Sequence, residues 1–277
     1  MPFGLLNATE KYLKYLLVTV GKPPQSHKCS VQLSRDTIIE DYSVKANSSG
    51  NTRVNVIIPT LNEKQNIGNI IYRLKKVGCN DILIVDGHSN DGTADYARML
   101  GAKVIIQNGQ GKGGALREAF EDSCLDGDVI VIMDADGSMA PEELSLFAKA
   151  VESGADVVKG SRFLPQGGSE DLTPMRRVGN MILTGILNFL FLTDYTDLCY
   201  GYIAFKKEAL NRLSNCLASE NFEIETEICV KSKSLGLSVV EIPSFERSRV
   251  YGKSNLRTFR DGVRILKLLV REALQPN

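Results

Sequence analysis

The stretch VIVIMDADGS, Val129 to Ser138, decides the fold. Five apolar residues run unbroken into Asp134-Ala135-Asp136 and then Gly137. A short, continuously apolar run rich in Val and Ile predicts a strand buried on both faces. Such a strand carries charge only where it leaves the core. Residues i and i+2 of an extended chain point the same way. Asp134 and Asp136 are therefore expected to aim at one point beyond the strand's carboxyl end. Two hard oxygen donors there suit Mg²⁺ or Mn²⁺, which often keep waters and bind substrate phosphates. The bland alternative is a surface turn in which Asp and Gly only shape the backbone.

On either side of this stretch, strands and helices alternate. Val54 to Pro59 reads as a strand, and Ile67, Ile70, Ile71 and Leu74 fall at helical spacing. Asp81 to Asp86 is a second strand, Thr93 to Leu100 a helix, Lys103 to Gln107 a third strand and Lys112 to Ser123 a helix. After the Val129 strand, Pro141 stands near a helix start, and Asp156 to Gly160 is a fifth strand. This alternation implies an α/β architecture with a parallel sheet covered on both faces. Beyond Ser161 the pattern loosens. Pro165 to Pro174 reads as a loop, Arg177 to Leu192 as a helix, Tyr202 to Phe205 as a strand and Phe222 to Leu235 as a helix. Val239 to Pro243 is a late strand, and a helix from Asn255 to Ala273 closes the chain. Residues 1–50 stand apart as an N-terminal appendage with a short amphipathic helix, broken at Gly21 to Ser26.

Composition narrows the function. With 277 residues and a net charge of +0, the chain has no global field to attract nucleic acid. Its six cysteines are scattered without metal-binding spacing, which predicts a reducing, cytoplasmic setting. No run approaches the ~20 apolar residues of a membrane span, and no signal-peptide order is visible at the N-terminus.

Three polar clusters end three predicted strands: Pro59 to Glu63, Asp86 to Thr93, and Asp134 to Asp136. In doubly wound sheets ligands bind outside the carboxyl ends of the strands, so all three belong to one edge. Asn62, Ser89, Asp91 and Thr93 also suit helix caps and turns. Gly109 to Gly114 matches G-x-G-x-x-G, and Asp134 follows Gly114 by 20 residues. That spacing suits a nicotinamide enzyme, but the match sits in the third strand-helix unit and its acid already belongs to the Asp pair. A nucleotidyltransferase would carry its Lys-bearing loop after the first strand, where Thr60 to Glu63 stand. Lys112 and the nearby backbone N–H groups still suit an anion at a helix start.

Taken together, PTLNE, the Asp86 to Thr93 stretch, GKGGALREAF, DADGS and GSRF resemble the motifs of family-2 glycosyltransferases, in order and spacing. They are most similar to the dolichol-phosphate mannosyltransferase (polyprenyl-phosphate glycosyltransferase) branch, over about Val54 to Leu269. The resemblance implies a GT-A fold over residues 51–277, with helix 255–273 as an amphipathic closing element. It further implies a GDP- or UDP-hexose donor, inversion and a divalent metal, Mg²⁺ or Mn²⁺. By position, Pro59, Asn62, Glu63 and Asp86 would hold base and ribose, with Asp91 and Lys112 in the same donor set. Asp134 and Asp136 would hold the metal against the diphosphate. Arg162 would meet a polyprenyl or dolichyl phosphate, with Arg176 or Arg177 assisting. Arg249 and Ser254 match the late R-x-x-G-x-S motif. The chain departs from the family at Gly87, where a second Asp is usual, and near Ser138, where a Gln is common.

The chemistry divides by acceptor. A sugar hydroxyl or other small neutral acceptor would need a carboxylate base, for which Asp197 is the candidate and Glu223 and Glu225 weaker ones. A phosphate is already ionised and needs only arginines, for which Arg162, Arg176, Arg177, Arg247 and Arg249 are available. In the last helix Arg257, Arg260, Arg264, Lys267 and Arg271 lie beside Phe259, Val263, Leu266 and Val270. That pattern suits an anionic membrane surface or a helix docked on the domain. A lipid acceptor would require a peripheral membrane contact or a membrane-protein partner.

Overall fold

The computed structural model describes residues 52–122, 125–252 and 257–275. The N-terminal appendage expected over residues 1–50 lies outside them, as does Ser254. Seven strands form one sheet: β1 (Val54–Thr60), β2 (Asp81–Asp86), β3 (Lys103–Ile106), β4 (Val129–Ile132), β5 (Val157–Ser161), β7 (Ile203–Lys206) and β8 (Val239–Pro243). Their order is β3-β2-β1-β4-β7-β5-β8. All pairings are parallel except those of β7, which runs antiparallel to both β4 and β5. The mostly parallel GT-A-type sheet expected from the sequence is thus present. The lone reversed strand was not foreseen, because an apolar run such as Ile203 to Phe205 carries no mark of its direction.

Alternation along β1 sends Val56 and Ile58 to one face and Ile57 to the other. On the first face, α1 (Lys64–Lys76) buries Ile67, Ile70, Ile71 and Leu74, joined by Ala97 of α2 (Thr93–Met99) and Phe147 of α4 (Leu144–Glu152). Each such side chain, fully buried, contributes about 1.5–3 kcal/mol. On the second face lie α3 (Gly111–Phe120), α6 (Lys207–Ser214) and α7 (Ile224–Ser234). A third apolar cluster, including Leu187, Val230, Ile265 and Leu269, ties α7 to α5 (Pro174–Phe191) and α8 (Thr258–Leu274).

Several boundaries move for local reasons. Helix α5 starts at Pro174 rather than Arg177, since Pro occupies the first helical position and the Thr173 hydroxyl caps the Arg176 amide. Helix α6 was absent from the sequence reading. The stretch read as a loop contains β6 (Gly168–Ser169), which pairs in parallel with β9 (Phe245–Glu246).

Candidate active site

A cleft of about 980 Å³ opens along the carboxyl edge of the sheet. Its floor comes from the ends of five strands: Pro59 to Leu61 after β1, Gly87 and His88 after β2, Gln107 after β3, Asp134 to Asp136 after β4, and Arg162 after β5. Its mouth lies between α5 and α8, lined by Met175, Ile182, Phe259 and Leu266.

The Asp pair reaches the cleft by a route that corrects the sequence expectation. β4 ends at Ile132, and residues 135–136 form a turn instead of an extended strand. Both carboxylates still line the cleft, each fixed by its own cation. Lys112 Nζ lies 2.5 Å from Asp134 and 2.6 Å from Glu225. Arg249 spans Asp136 at 2.8 Å and Glu63 at 3.1 Å. Burial alone would lower the Lys112 ammonium, but the charges of Asp134 and Glu225 outweigh it and hold the group well above the ordinary lysine range. Glu63 is raised by burial, against the opposing Asn66 hydrogen bond and Arg249 charge.

These groups fit a divalent metal on charge and donor type. Four carboxylates face two cations here, leaving two formal negative charges for a dication to cancel. Asp134 remains 32% exposed. Among the described residues no group of three His, Cys, Asp or Glu side chains is placed to hold a metal alone. An ion on Asp134 and Asp136 would complete its shell from water and a diphosphate, as Mg²⁺ commonly does.

The remaining donor-side motifs make hydrogen bonds between the β1 and β2 loops. Asn62, with a positive φ of 58°, accepts from the Asn90 amide, while its own amide donates to Ser89. Asp91 accepts from the Lys64 and Thr93 amides. Asp86, 1% exposed, accepts from the Thr60 hydroxyl and the Ser89 amide. These three are not among the residues lining the cleft; they lock the β1 and β2 loops together. Pro59, Glu63, Lys112 and Asp134 do line it.

The glycine-rich loop also has a packing cause. A Cβ at Gly111, whose φ is +76°, would stand 2.2 Å from the Glu220 carbonyl. The Gly114 amide donates to that same oxygen. The loop is therefore shaped by the close approach of the segment around Glu220, and its lysine reaches Asp134 and Glu225.

On the acceptor side, Arg162 and Arg176 line the cleft. Arg177 does not; its guanidinium lies over the Phe163 ring at 5.2 Å. Asp197 is paired with Arg162. It is 0% exposed, accepts three N–H bonds from Arg162 and one from Asn180, and does not line the cleft. Burial would raise its pKa, but the Arg162 charge and hydrogen bonds prevail and hold it below the usual carboxylate range. It holds Arg162 in place. Glu246, absent from the sequence reading, takes the other side of Arg162 at 3.0 Å. Only its two-residue strand pairing brings it there, and nothing local in sequence signals that.

Helix α8 docks through Ile265, Leu268 and Leu269, yet leaves Phe259 88%, Leu266 41% and Val270 47% exposed. Arg264 pairs with Asp261 and Arg271 with Glu272, so part of the basic stripe is satisfied within the protein. No helix among the described residues is long and apolar enough to cross a membrane.

A mostly parallel seven-stranded sheet with a carboxylate-lined cleft at its carboxyl edge makes this an α/β protein with a GT-A-like fold. Residues 55–214 match Glycosyl transferase family 2, and the chain belongs to that family and is a glycosyltransferase. It is 34% identical over 223 residues to glycosyltransferase AglJ of Haloferax volcanii, covering 80% of this chain and 72% of that one. It is 31% identical over 222 residues to the dolichyl-phosphate hexose transferase of the same organism, covering 79% and 93%. With the polyprenol monophosphomannose synthase of Mycolicibacterium smegmatis it shares 35% over 219 residues, covering 74% and 81%. The fold resembles Mycobacterium tuberculosis glucosyl-3-phosphoglycerate synthase, crystallised with Mn²⁺, UDP and glucosyl-3-phosphoglycerate. That likeness has a TM-score of 0.65 at 18% identity, covering 92% of this chain and 89% of that one.

Proposed function

We propose that residues 51–277 move a hexose, with inversion, from a GDP- or UDP-sugar to a polyprenyl or dolichyl phosphate. The observation that carries this reading is the composition of the cleft at the carboxyl edge of the sheet. The cleft is lined by paired carboxylates and cations, by Arg162 and Arg176, and by the apolar side chains of Met175, Ile182, Phe259 and Leu266. A phosphate on a long hydrocarbon chain matches that combination of surfaces. The names of the relatives in Haloferax and Mycolicibacterium support the same acceptor class.

In this reading the donor's diphosphate lies near Lys112, Asp134, Asp136 and Arg249. A divalent ion, when bound at the two aspartates, supplies charge neutralisation for the leaving diphosphate. Lys112, kept protonated by its two carboxylates, adds a second positive charge there. Arg162 presents its guanidinium to the acceptor phosphate and is held in place by Asp197 and Glu246. An acceptor oxygen attacks the anomeric carbon opposite the diphosphate. The carbon–oxygen bond to the diphosphate breaks, and the nucleoside diphosphate departs with the electron pair. No base is needed, which agrees with the burial of Asp197 and the engagement of Glu225 by Lys112.

The test is transfer of labelled hexose from UDP- and GDP-sugars with Mn²⁺, with and without polyprenyl phosphate. Label that enters the lipid fraction only when polyprenyl phosphate is added supports the proposal. Transfer to free sugar hydroxyls and none to lipid phosphate contradicts it.

A further inference from the structure

Gln107 ends β3 beneath the glycine-rich loop, is 3% exposed and lines the cleft. Its Nε2 donates to the Gly111 carbonyl at 2.9 Å. Only the nitrogen end of a carboxamide can make that bond, so the amide orientation is fixed. Gly114 gives the nitrogen its room: a Cβ there would stand 2.9 Å from Nε2. The oxygen end turns the other way, toward Gly87 on the neighbouring strand end. A Cβ at position 87 would stand 3.4 Å from Gln107 Oε1 and 3.3 Å from the Thr60 carbonyl. Glycine at 87 therefore keeps that side of Oε1 clear of a Cβ where β1, β2 and β3 end side by side.

We propose that Gln107 reads the donor's nucleobase, its Oε1 accepting a ring N–H. This rests on the reading that the cleft takes a nucleoside diphosphate sugar. Lys112, Asp134 and Arg249 occupy the β4 end of the floor, so the diphosphate lies there and the base at the β2–β3 end. That end is built from Pro59, Leu61, Gly87, His88 and Gln107. Uracil N3–H and guanine N1–H can each donate to Oε1. Cytosine presents a lone pair at the corresponding ring nitrogen and meets the oxygen with repulsion. A buried acceptor rejects a base that cannot pair with it, since both groups then stay unsatisfied.

Calorimetric titration of the full chain with UDP, GDP, CDP and inorganic pyrophosphate, all with Mn²⁺, tests this. The wild type is expected to bind UDP or GDP at least about tenfold more tightly than CDP, and whichever is tighter identifies the base. Gln107→Leu is expected to shrink the gap to CDP to about threefold or less, with pyrophosphate affinity unchanged. Because that change also removes the bond to Gly111, Gly87→Ala is the second variant. It keeps Gln107 in place, sets a methyl group against its oxygen where the base would approach, and is expected to shrink the same gap. A gap that persists in both variants overturns the role of Gln107 while leaving the functional reading intact. A wild type that binds no nucleoside diphosphate overturns both.

Discussion

Lys112 Nζ stands 2.5 Å from Asp134 Oδ1, so the first carboxylate of the Asp pair already holds a cation supplied by the glycine-rich loop. The same ammonium reaches Glu225, whose side chain is 7% exposed. Lys112→Met is therefore expected to act twice. Loss of a charge that faces the leaving diphosphate lowers kcat by about 10²-fold. Leaving Glu225 buried without its cation costs about 3 kcal/mol of stability. Steady-state kinetics and urea denaturation read the two effects separately. The sign of the pH dependence follows from the raised pKa. The pair's contribution is complete below the unfolded lysine value of about 10.4 and is lost only as pH climbs through the higher folded value. No part of the neutral-pH profile is expected to come from it.

Asp197 carries the opposite sign. Its folded pKa is depressed, so its contribution is present above the unfolded value of about 3.9 and is lost as pH falls below that through the folded value. Asp197→Ala leaves Arg162 buried without its main partner and is expected to cost about 3–5 kcal/mol. Asp197→Asn keeps the volume and is expected to raise the acceptor KM without removing an acidic limb from the kcat profile. Loss of that limb would restore Asp197 as a base.

Much of this was legible in the chain itself. Asp81 to Asp86 and Val239 to Pro243 read as strands with the observed limits, since each is apolar and sharply bounded. The polar clusters ending β1, β2 and β4 were placed on one edge correctly. Their individual roles were not legible. Asp86 and Asp134 both end apolar runs, yet one turns inward to a Ser89 amide and the other faces a cleft. That choice depends on neighbouring loops distant in sequence. Glu246 was missed for the same reason, as its partner Arg162 follows a distant strand, and the place of Gln107 beside Gly87 likewise depends on a neighbouring strand end.

The glycine-rich loop makes a prediction independent of any ligand. A Cβ at Gly113 would stand 2.3 Å from the Ser219 carbonyl. Gly113→Ala is expected to destabilise the fold by about 3 kcal/mol, because both sides of the clash are backbone. Thermal unfolding in the absence of nucleotide checks it.

The apolar mouth makes another. Phe259 is 88% exposed on α8, beside Met175 and Ile182 of α5. Phe259→Ser is expected to lower transfer to long-chain polyprenyl phosphate in vesicles by about tenfold, the equivalent of one apolar side chain withdrawn from hydrocarbon. Transfer to a short, water-soluble polyprenyl phosphate is expected to change less than about twofold. Equal losses with both acceptors would detach this surface from the lipid chain.

Thermal shift of the full chain with UDP and GDP, with and without Mn²⁺, in wild type and Asp134→Ala, tests the central claim most directly. The account predicts that one nucleotide raises Tm by about 5 °C near saturation, more with Mn²⁺ than without, and that Asp134→Ala abolishes the Mn²⁺-dependent part. Stabilisation by NAD and by no nucleoside diphosphate, or a Mn²⁺ increment that survives in Asp134→Ala, would contradict it.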